Sequence, residues 1–417
     1  MPAARLALRG VARVRPKLAR GIEARRGVEE RWRVAAAAVA GRRPRVWLHA
    51  ASAGETLQAR PVGDAIRDRH PEAALFFSYF SPSAERAADS WPAPDHADYL
   101  PFDWPAAMRR QLETLDPDAI VLVAGELWPN LVWNAAERGV PLAQACARLA
   151  GGSARMERPM RALTARLYRE FRAVGAVTEE DAALLVGLGV PAEAVAVTGD
   201  TRVDVTLARV EEAVSLPAAW EPPPGAGPIV VAGSTWPADE AVVLPAAARL
   251  RARHPRLTVV VAPHEPTAGA VERIERQARE LDLSIARLGD PAGAEPPVVV
   301  VVDRVGLLYR LYGLADAAWV GGGFGGSVHN TMEPAAHAVP IAVGPAHGAP
   351  AEVVALERAG GLAVTAGAEA LADRWGTWLG DPDRARRAGA AARAVLEDSR
   401  GAARRTLDFF RSRGLAV

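Results

Sequence analysis

The chain has 417 residues, 50% of them hydrophobic and 24% charged, with a formal net charge of +1. That length suits two domains better than one core, and the near-zero charge excludes a molecule built as a whole to bind polyanions, so any attraction to phosphate or membrane must come from local clustering. The single cysteine, Cys146, excludes an internal disulfide framework and fits a reducing compartment, and with Lys17 as the only lysine a lysine Schiff base or P-loop lysine is effectively excluded.

The first segment, residues 1–42, holds no run of membrane-spanning length, "VAAAAVA" (34–40) being far too short, and no apolar signal-peptide centre. It is basic instead: Arg5, Arg9, Arg13, Arg15, Lys17, Arg20, Arg25 and Arg26 have only Glu23 among them. Val11, Val14, Leu18 and Ile22 recur at near-helical spacing, interrupted by Pro16. Such a segment either lies on an anionic membrane face or is a solvated Arg-rich helix packed on the first domain, and the pattern leaves both open.

From residue 43 onward, apolar strand-like runs alternate with Ala/Arg/Glu/Leu-rich helical stretches, the mark of βαβ units and a parallel sheet. The strands of the first half are "RVWLHA" (45–50), "ALFFSYF" (74–80), "AIVLVA" (119–124), "VPLAQACA" (140–147) and "AVGAVT" (173–178), with helices such as 57–69 and 104–115 between them and "AVAVTGD" (194–200) as the close. "SLPAAWEPPPGAGP" (215–228) has linker composition. A second set follows: "PIVVAGS" (228–234), "LTVVVAPH" (257–264), "PVVVVVD" (297–303), "DAAWVGGG" (316–323) and "PIAVG" (340–344), before a tail that reads as helix from about 382 to 412. The expected architecture is α/β: two Rossmann-like doubly wound domains, 43–214 and 229–395, with residues 396–417 as a C-terminal helix. Ligands of such folds bind at the carboxyl ends of the strands, here expected in a cleft between the domains.

Polar motifs fall at those strand ends. "HAASAGE" follows the first strand, "GELWPN" (125–130) the third and "GDTRVD" (199–204) the last of the first half. "GSTWPADE" (233–240), "APHEP" (262–266) and "GGGFGGSVHNTMEP" (321–334) follow strands of the second half. Glycines after a strand let backbone amides approach an anion, although this run matches neither the GxGxxG nor the P-loop pattern. Asn330 fits a helix cap, and Glu333 either accepts hydrogen bonds from ribose hydroxyls or serves as a first-turn acid. Ser234 and Thr235 either cap the next helix or bind phosphate. His264 stands at a strand end, and Arg202 either bridges Asp200 or Asp204 or reaches an anionic ligand. Glu126 and Asn130 lie where Trp128 and Pro129 shape a turn, and Glu55 is either a first-turn acid or a group placed for chemistry. No His/Cys/Asp cluster has zinc spacing, no DxD-like pair points to a divalent metal, and no Ser–His–Asp arrangement is legible.

In series, "RPKLARGIEARRG", "VWLHAASAGE", "GELWPN", "VTGDTRVD", "AGSTWPADE", "APHE" and "GGGFGGSVHNTMEPAAHAVPIAVGP" resemble the 3-deoxy-D-manno-octulosonic acid (Kdo) transferases of bacterial lipopolysaccharide synthesis, in order through nearly the whole chain. The resemblance implies two GT-B domains, metal-independent transfer without a cofactor, CMP-Kdo as donor and a lipid A precursor as acceptor. It implies work at the cytoplasmic face of the inner membrane; where relatives commonly carry a membrane-anchoring N-terminal segment, this one is strongly basic and weakly apolar, which suggests peripheral attachment, and no nucleic acid partner is expected. Glu55, in the position of the "SxGE" glutamate, would be the general base, with His49, Ser52, Gly54 and Glu126 on the acceptor side. Arg202, Ser234, Thr235, His264, Gly322, Gly323, Gly325, Asn330 and Glu333 would hold the donor. The sequence departs from the family where "APHEPT" lacks the arginine of a "PRH" segment, where Arg202 replaces a common lysine, where "SVHN" replaces "GGHN" and where Gly323 replaces a serine. Two rival expectations stand beside this one: a GT-B transferase or sugar-nucleotide epimerase for another nucleotide, and a non-catalytic nucleotide-sugar binding protein.

Overall fold

The structure, a computed structural model, describes residues 16–149, 153–212, 227–290, 296–348 and 350–417. Arg5, Arg9, Arg13 and Arg15, and the proposed linker apart from its last two residues, lie outside them. By contacts the chain divides into two units, one of residues 1–205 and 401–417, the other of residues 206–400.

The first unit is built on a parallel sheet of β1 (Arg45–Ala50), β2 (Ala74–Tyr79), β3 (His96–Tyr99), β4 (Ala119–Val123), β5 (Leu142–Ala147), β6 (Phe171–Ala176) and β7 (Val195–Val197), in the order β3-β2-β1-β4-β5-β6-β7. β1, β2, β4 and β5 are buried at every residue. Helices cover both faces of such a sheet, so its inner strands read as continuous apolar runs and not as an alternation. The tail expected as one helix is two, Pro382–Ser399 and Ala402–Ser412, separated at Gly401, whose φ of +85° suits glycine. The second of them packs on the helix Ala53–Arg69 and on β6, and Leu407 and Phe410, one turn apart, enter the first unit's core.

The second unit repeats the plan with β8 (Ile229–Thr235), β9 (Thr258–Pro263), β10 (Ile285–Arg287), β11 (Val299–Val301), β12 (Ala317–Val320), β13 (Ile341–Val343) and β14 (Leu362–Val364), ordered β10-β11-β9-β8-β12-β13-β14. In the first sheet the chain winds outward from β1 through β2 to β3, then crosses back to lay β4 on the other side of β1. In the second it leaves β8 through β9 and returns to place β12 on β8's free side. Each sheet therefore has a switch point, between β1 and β4 and between β8 and β12, where the loops at the carboxyl ends diverge and leave a crevice.

Candidate active site

Glu55 follows β1 and Glu126 follows β4, so the two carboxylates flank the first switch point. Ser52 is the N-cap of the helix Ala53–Arg69, and Glu55 stands three residues on. Its Oε2 accepts from the amides of Ala51 and Ser52 at 2.8 and 2.9 Å and from Ser52 Oγ at 3.1 Å. Both readings of Glu55 thus meet in one side chain: it caps its helix through one oxygen, while Oε1 accepts no hydrogen bond and the carboxylate enters no ion pair among the described residues. Ser52 positions this carboxylate. A Cβ added at Gly54 would meet nothing within 4 Å, so the space over the helix end is open.

Glu126 is half-buried. Burial and then the charge of Glu55 push its carboxyl up to about 7, against the pull of Arg155 and the Trp128 indole. Ala124, just before the "GE" pair, holds a left-handed φ of +59°, a conformation strained for a residue with a Cβ and of the kind that gathers at functional turns. Phe80 packs against Trp128 at 4.8 Å and Phe102 at 6.4 Å, walling this corner with rings. Asn130 turns away, tied to Asp103, whose carboxylate also takes the amides of Asn130 and Leu131 at the start of the helix Pro129–Glu137.

His49 departs from its expected place at the acceptor. It lies inside β1, wholly buried, with Nδ1 2.9 Å from Ser78 Oγ and its ring against Trp128. Burial depresses its pKa to about 3, so it stays neutral, and it reaches the crevice only by supporting Trp128. Arg25 likewise is no free surface charge. It is buried among Phe80, Tyr99 and Phe102 and donates to the carbonyls of Gly21, Phe80 and Leu100. Arg20 pairs with Glu85 and Arg26 with Glu23.

At the second switch point Ser234, next to last in β8, forms a bulge, with a φ of +52° that parallels Ala124. Neither Ser234 nor Thr235 caps the following helix, Pro237–Arg251. Its N-cap is Trp236, whose amide donates to Asp239 at 2.9 Å. Thr235 is 1% exposed, so its hydroxyl is not presented to a ligand, contrary to expectation. Asp239, also buried, accepts from the Gly322 amide at 3.0 Å and from Trp319 Nε1 at 3.3 Å, tying the glycine loop to the helix start. Glu240 beside it is held by Arg273 at 2.8 Å.

The glycines serve more than one purpose. A Cβ on Gly323 would lie 2.5 Å from the Gly344 amide nitrogen, and one on Gly322, whose φ is +93°, 2.4 Å from Ser327 O. The amides of Gly322 and Gly325 donate to Asp239 and to Gly322 O, so these two are not free for an anion as the sequence had implied. A Cβ on Gly325 would meet nothing nearer than 3.6 Å.

Above the loop, three rings stack. His264 and His329 lie 4.2 Å apart at 14°, and Trp236 covers His264 at 4.9 Å. Trp236 Nε1 is 2.8 Å from His329 Nε2. An indole N–H only donates, so Nε2 accepts and the imidazole proton sits on Nδ1. Burial and the neighbouring His264 lower the His329 pKa to about 4, leaving the ring neutral. Asn330 is not the cap expected of it: the helix Met332–Ala336 has Thr331 at its N-cap, and Asn330, one residue earlier, accepts from the Met332 amide through Oδ1. Glu333 is drawn into a pocket with Arg209 and Tyr309, where burial raises its pKa against the pull of Arg209. Arg202 makes a bridge to buried Asp200 at 2.6 Å, the structural alternative named for it. Trp236, Asp239 and His329 lie inside motifs the sequence had marked, but their roles depend on β8 and β12 being neighbours. Among the described residues no three His, Cys, Asp or Glu side chains cluster as a metal centre.

Two parallel doubly wound units, each with its polar side chains at the switch point, define the GT-B architecture. The fold is shared with the UDP-GlcNAc 2-epimerase of Neisseria meningitidis, solved with UDP-GlcNAc bound, at a TM-score of 0.62 and 13% identity over 88% of this chain and 99% of that one. Sequence narrows the class. Residues 25–205 match the family model described as 3-Deoxy-D-manno-octulosonic-acid transferase (kdotransferase). The 3-deoxy-D-manno-octulosonic acid transferase of Bordetella pertussis is 32% identical over 383 residues, 87% of this chain and 86% of that one. The enzyme of the same name from Haemophilus influenzae is 28% identical over 377 residues, 88% and 86% of the two chains. The chain belongs to the 3-deoxy-D-manno-octulosonic acid transferase family and is a glycosyltransferase.

Proposed function

We propose that this protein transfers Kdo from CMP-Kdo to a hydroxyl of a lipid A precursor, with inversion and without a metal. The observation that carries the reading is the Glu55 carboxylate. It is anchored at Oε2 by three donors, open at Oε1, and set beside unfilled space over Gly54. Oε1 would take the proton of the acceptor hydroxyl as that oxygen attacks the anomeric carbon of Kdo. The bond to the CMP oxygen breaks in the same displacement, which inverts the centre, and the proton remains on Glu55. Charge growing on the departing cytidylate would be met by hydrogen-bond donors of the second unit: the Ser234 hydroxyl, His264, the Nδ1–H of His329 and loop amides such as Gly323 and Phe324. Glu333 and Asn330 would hold the ribose. The positive charges of Arg5, Arg9, Arg13, Arg15 and Lys17, known from sequence alone, support peripheral attachment to an anionic membrane at its cytoplasmic face.

The test is an assay of the full chain with CMP-Kdo and a lipid A precursor, products resolved by mass, run with and without EDTA. A product heavier by whole Kdo residues in both arms supports the reading. Loss of product with EDTA removes the metal-free part, and CMP release without a heavier lipid removes the acceptor.

A further inference from the structure

A large cavity of the second unit lies away from its glycine loop, with a volume of about 610 Å³. It runs beside the edge strand β14, bounded by Gly360 at the amino end of that strand and by the helices Ala368–Gly380 and Pro382–Ser399. The loops of the switch point occupy the carboxyl ends of β8 and β12, so this is a separate place on the same unit.

Three guanidinium groups line it: Arg374, Arg384 and Arg387. Among the described residues none of the three enters an ion pair, although arginines elsewhere in the chain are paired repeatedly, as Arg273 with Glu240 and Arg31 with Asp98. One carboxylate, Glu357, shares the cavity and binds none of them. Arg384 and Arg387 are spaced by one turn and lie on one side of their helix. Arg374 is fixed differently, with its guanidinium 5.7 Å from the ring of Trp378, a buried indole that forms part of the wall. Like charges held around one concavity repel unless an anion enters, and the planar fork of arginine matches phosphate oxygens.

We propose that this cavity is a second ligand site, for a phosphate group carried either by a lipid headgroup or by a soluble molecule. Three cations against one carboxylate leave the site net positive, and the alanine and glycine residues between them leave room for the body that bears the phosphate. The site is independent of the transfer chemistry proposed above, since it lies on other residues and needs no cytidylate.

The experiment uses the full chain, its Arg384→Ala/Arg387→Ala variant and its Glu357→Gln variant. Inorganic pyrophosphate binding is measured by calorimetry, both without CMP and with it, and co-sedimentation is measured with phosphatidylcholine vesicles with and without phosphatidic acid. The double variant, altered only at exposed residues, should bind at least roughly tenfold more weakly, and Glu357→Gln should bind more tightly, because a repelling charge is gone. That opposite pair of shifts with pyrophosphate alone assigns the site to a soluble phosphate. The same pair appearing only with phosphatidic acid assigns it to a lipid. Equal binding by all three proteins in both arms overturns the proposal, and circular dichroism of the variants separates that result from misfolding.

Discussion

The two switch points share a topology and differ in what stands on it. At β1/β4 the loops bring two carboxylates together, Glu55 open at one oxygen and Glu126 pushed up to about 7 by burial and by its neighbour's charge. At β8/β12 the carboxylates are bound up, Asp239 by three N–H groups and Glu240 by Arg273, and the stacked rings and glycine backbone remain. The contrast follows from charge. A site that removes a proton needs an acceptor for it, whereas a site that receives a phosphate is harmed by a free carboxylate and helped by uncharged donors. On the proposed reading, one crevice supplies the base and the other a cradle of hydrogen-bond donors.

The sharpest way to break that comparison is Glu55→Gln. It keeps acceptors for the amides of Ala51 and Ser52 but removes the base, so turnover should fall by about 10²–10⁴ while CMP affinity, measured by calorimetry, stays unchanged. Matched losses of both would show that the two crevices do not divide the chemistry. Next in size is a pair within the glycine loop. Gly323→Ala sets a Cβ 2.5 Å from the Gly344 nitrogen and should cost about 2 kcal/mol in urea unfolding. Gly325→Ala, with nothing nearer than 3.6 Å, should stay within about 0.5 kcal/mol. Equal costs would mean that the run is uniform and its close contacts do not matter.

A smaller effect lies in pH. Glu126 is neutral below about 7 and ionised above, and its charge then stands beside the proposed base. The kcat/KM profile should therefore climb through neutrality by roughly tenfold at most, and Glu126→Gln should remove that limb. Stability moves the other way. A carboxyl whose folded pKa lies above its ordinary value holds its proton better in the folded state, so wild-type stability falls as pH rises from about 4.5 to 7. Glu126→Gln should flatten that slope.

What the sequence revealed follows burial. β1, β2, β4 and β5 were legible because inner strands of a parallel sheet are apolar throughout. The strands it missed, β3, β10 and β14, are all at sheet edges, where "IAR" and "LAV" are only three residues long and largely half-covered. Glu55 was legible because its motif and its capping partner are local. His49 was misplaced because a polar residue inside a strand looks, in one dimension, like one at its end. Asp239 escaped as a link because its partner Gly322 is 83 residues away, across a strand pairing that no local pattern encodes.

The smallest effect tests the neutral character of the second crevice most directly. His329 is held near a pKa of 4, first by burial and then by His264, and the indole of Trp236 donates to the nitrogen that protonation would occupy. Trp236→Phe keeps a ring over His264 and removes only that donor. Nε2 then no longer loses a hydrogen bond when it gains a proton, so the His329 pKa should rise, by about one unit or less, in an NMR titration of its ring. The proton should also cease to be confined to Nδ1, which the nitrogen chemical shifts report. An unchanged pKa and tautomer in the variant would mean that the stack, and not the Trp236 hydrogen bond, keeps this imidazole uncharged, and that the two crevices differ by packing alone.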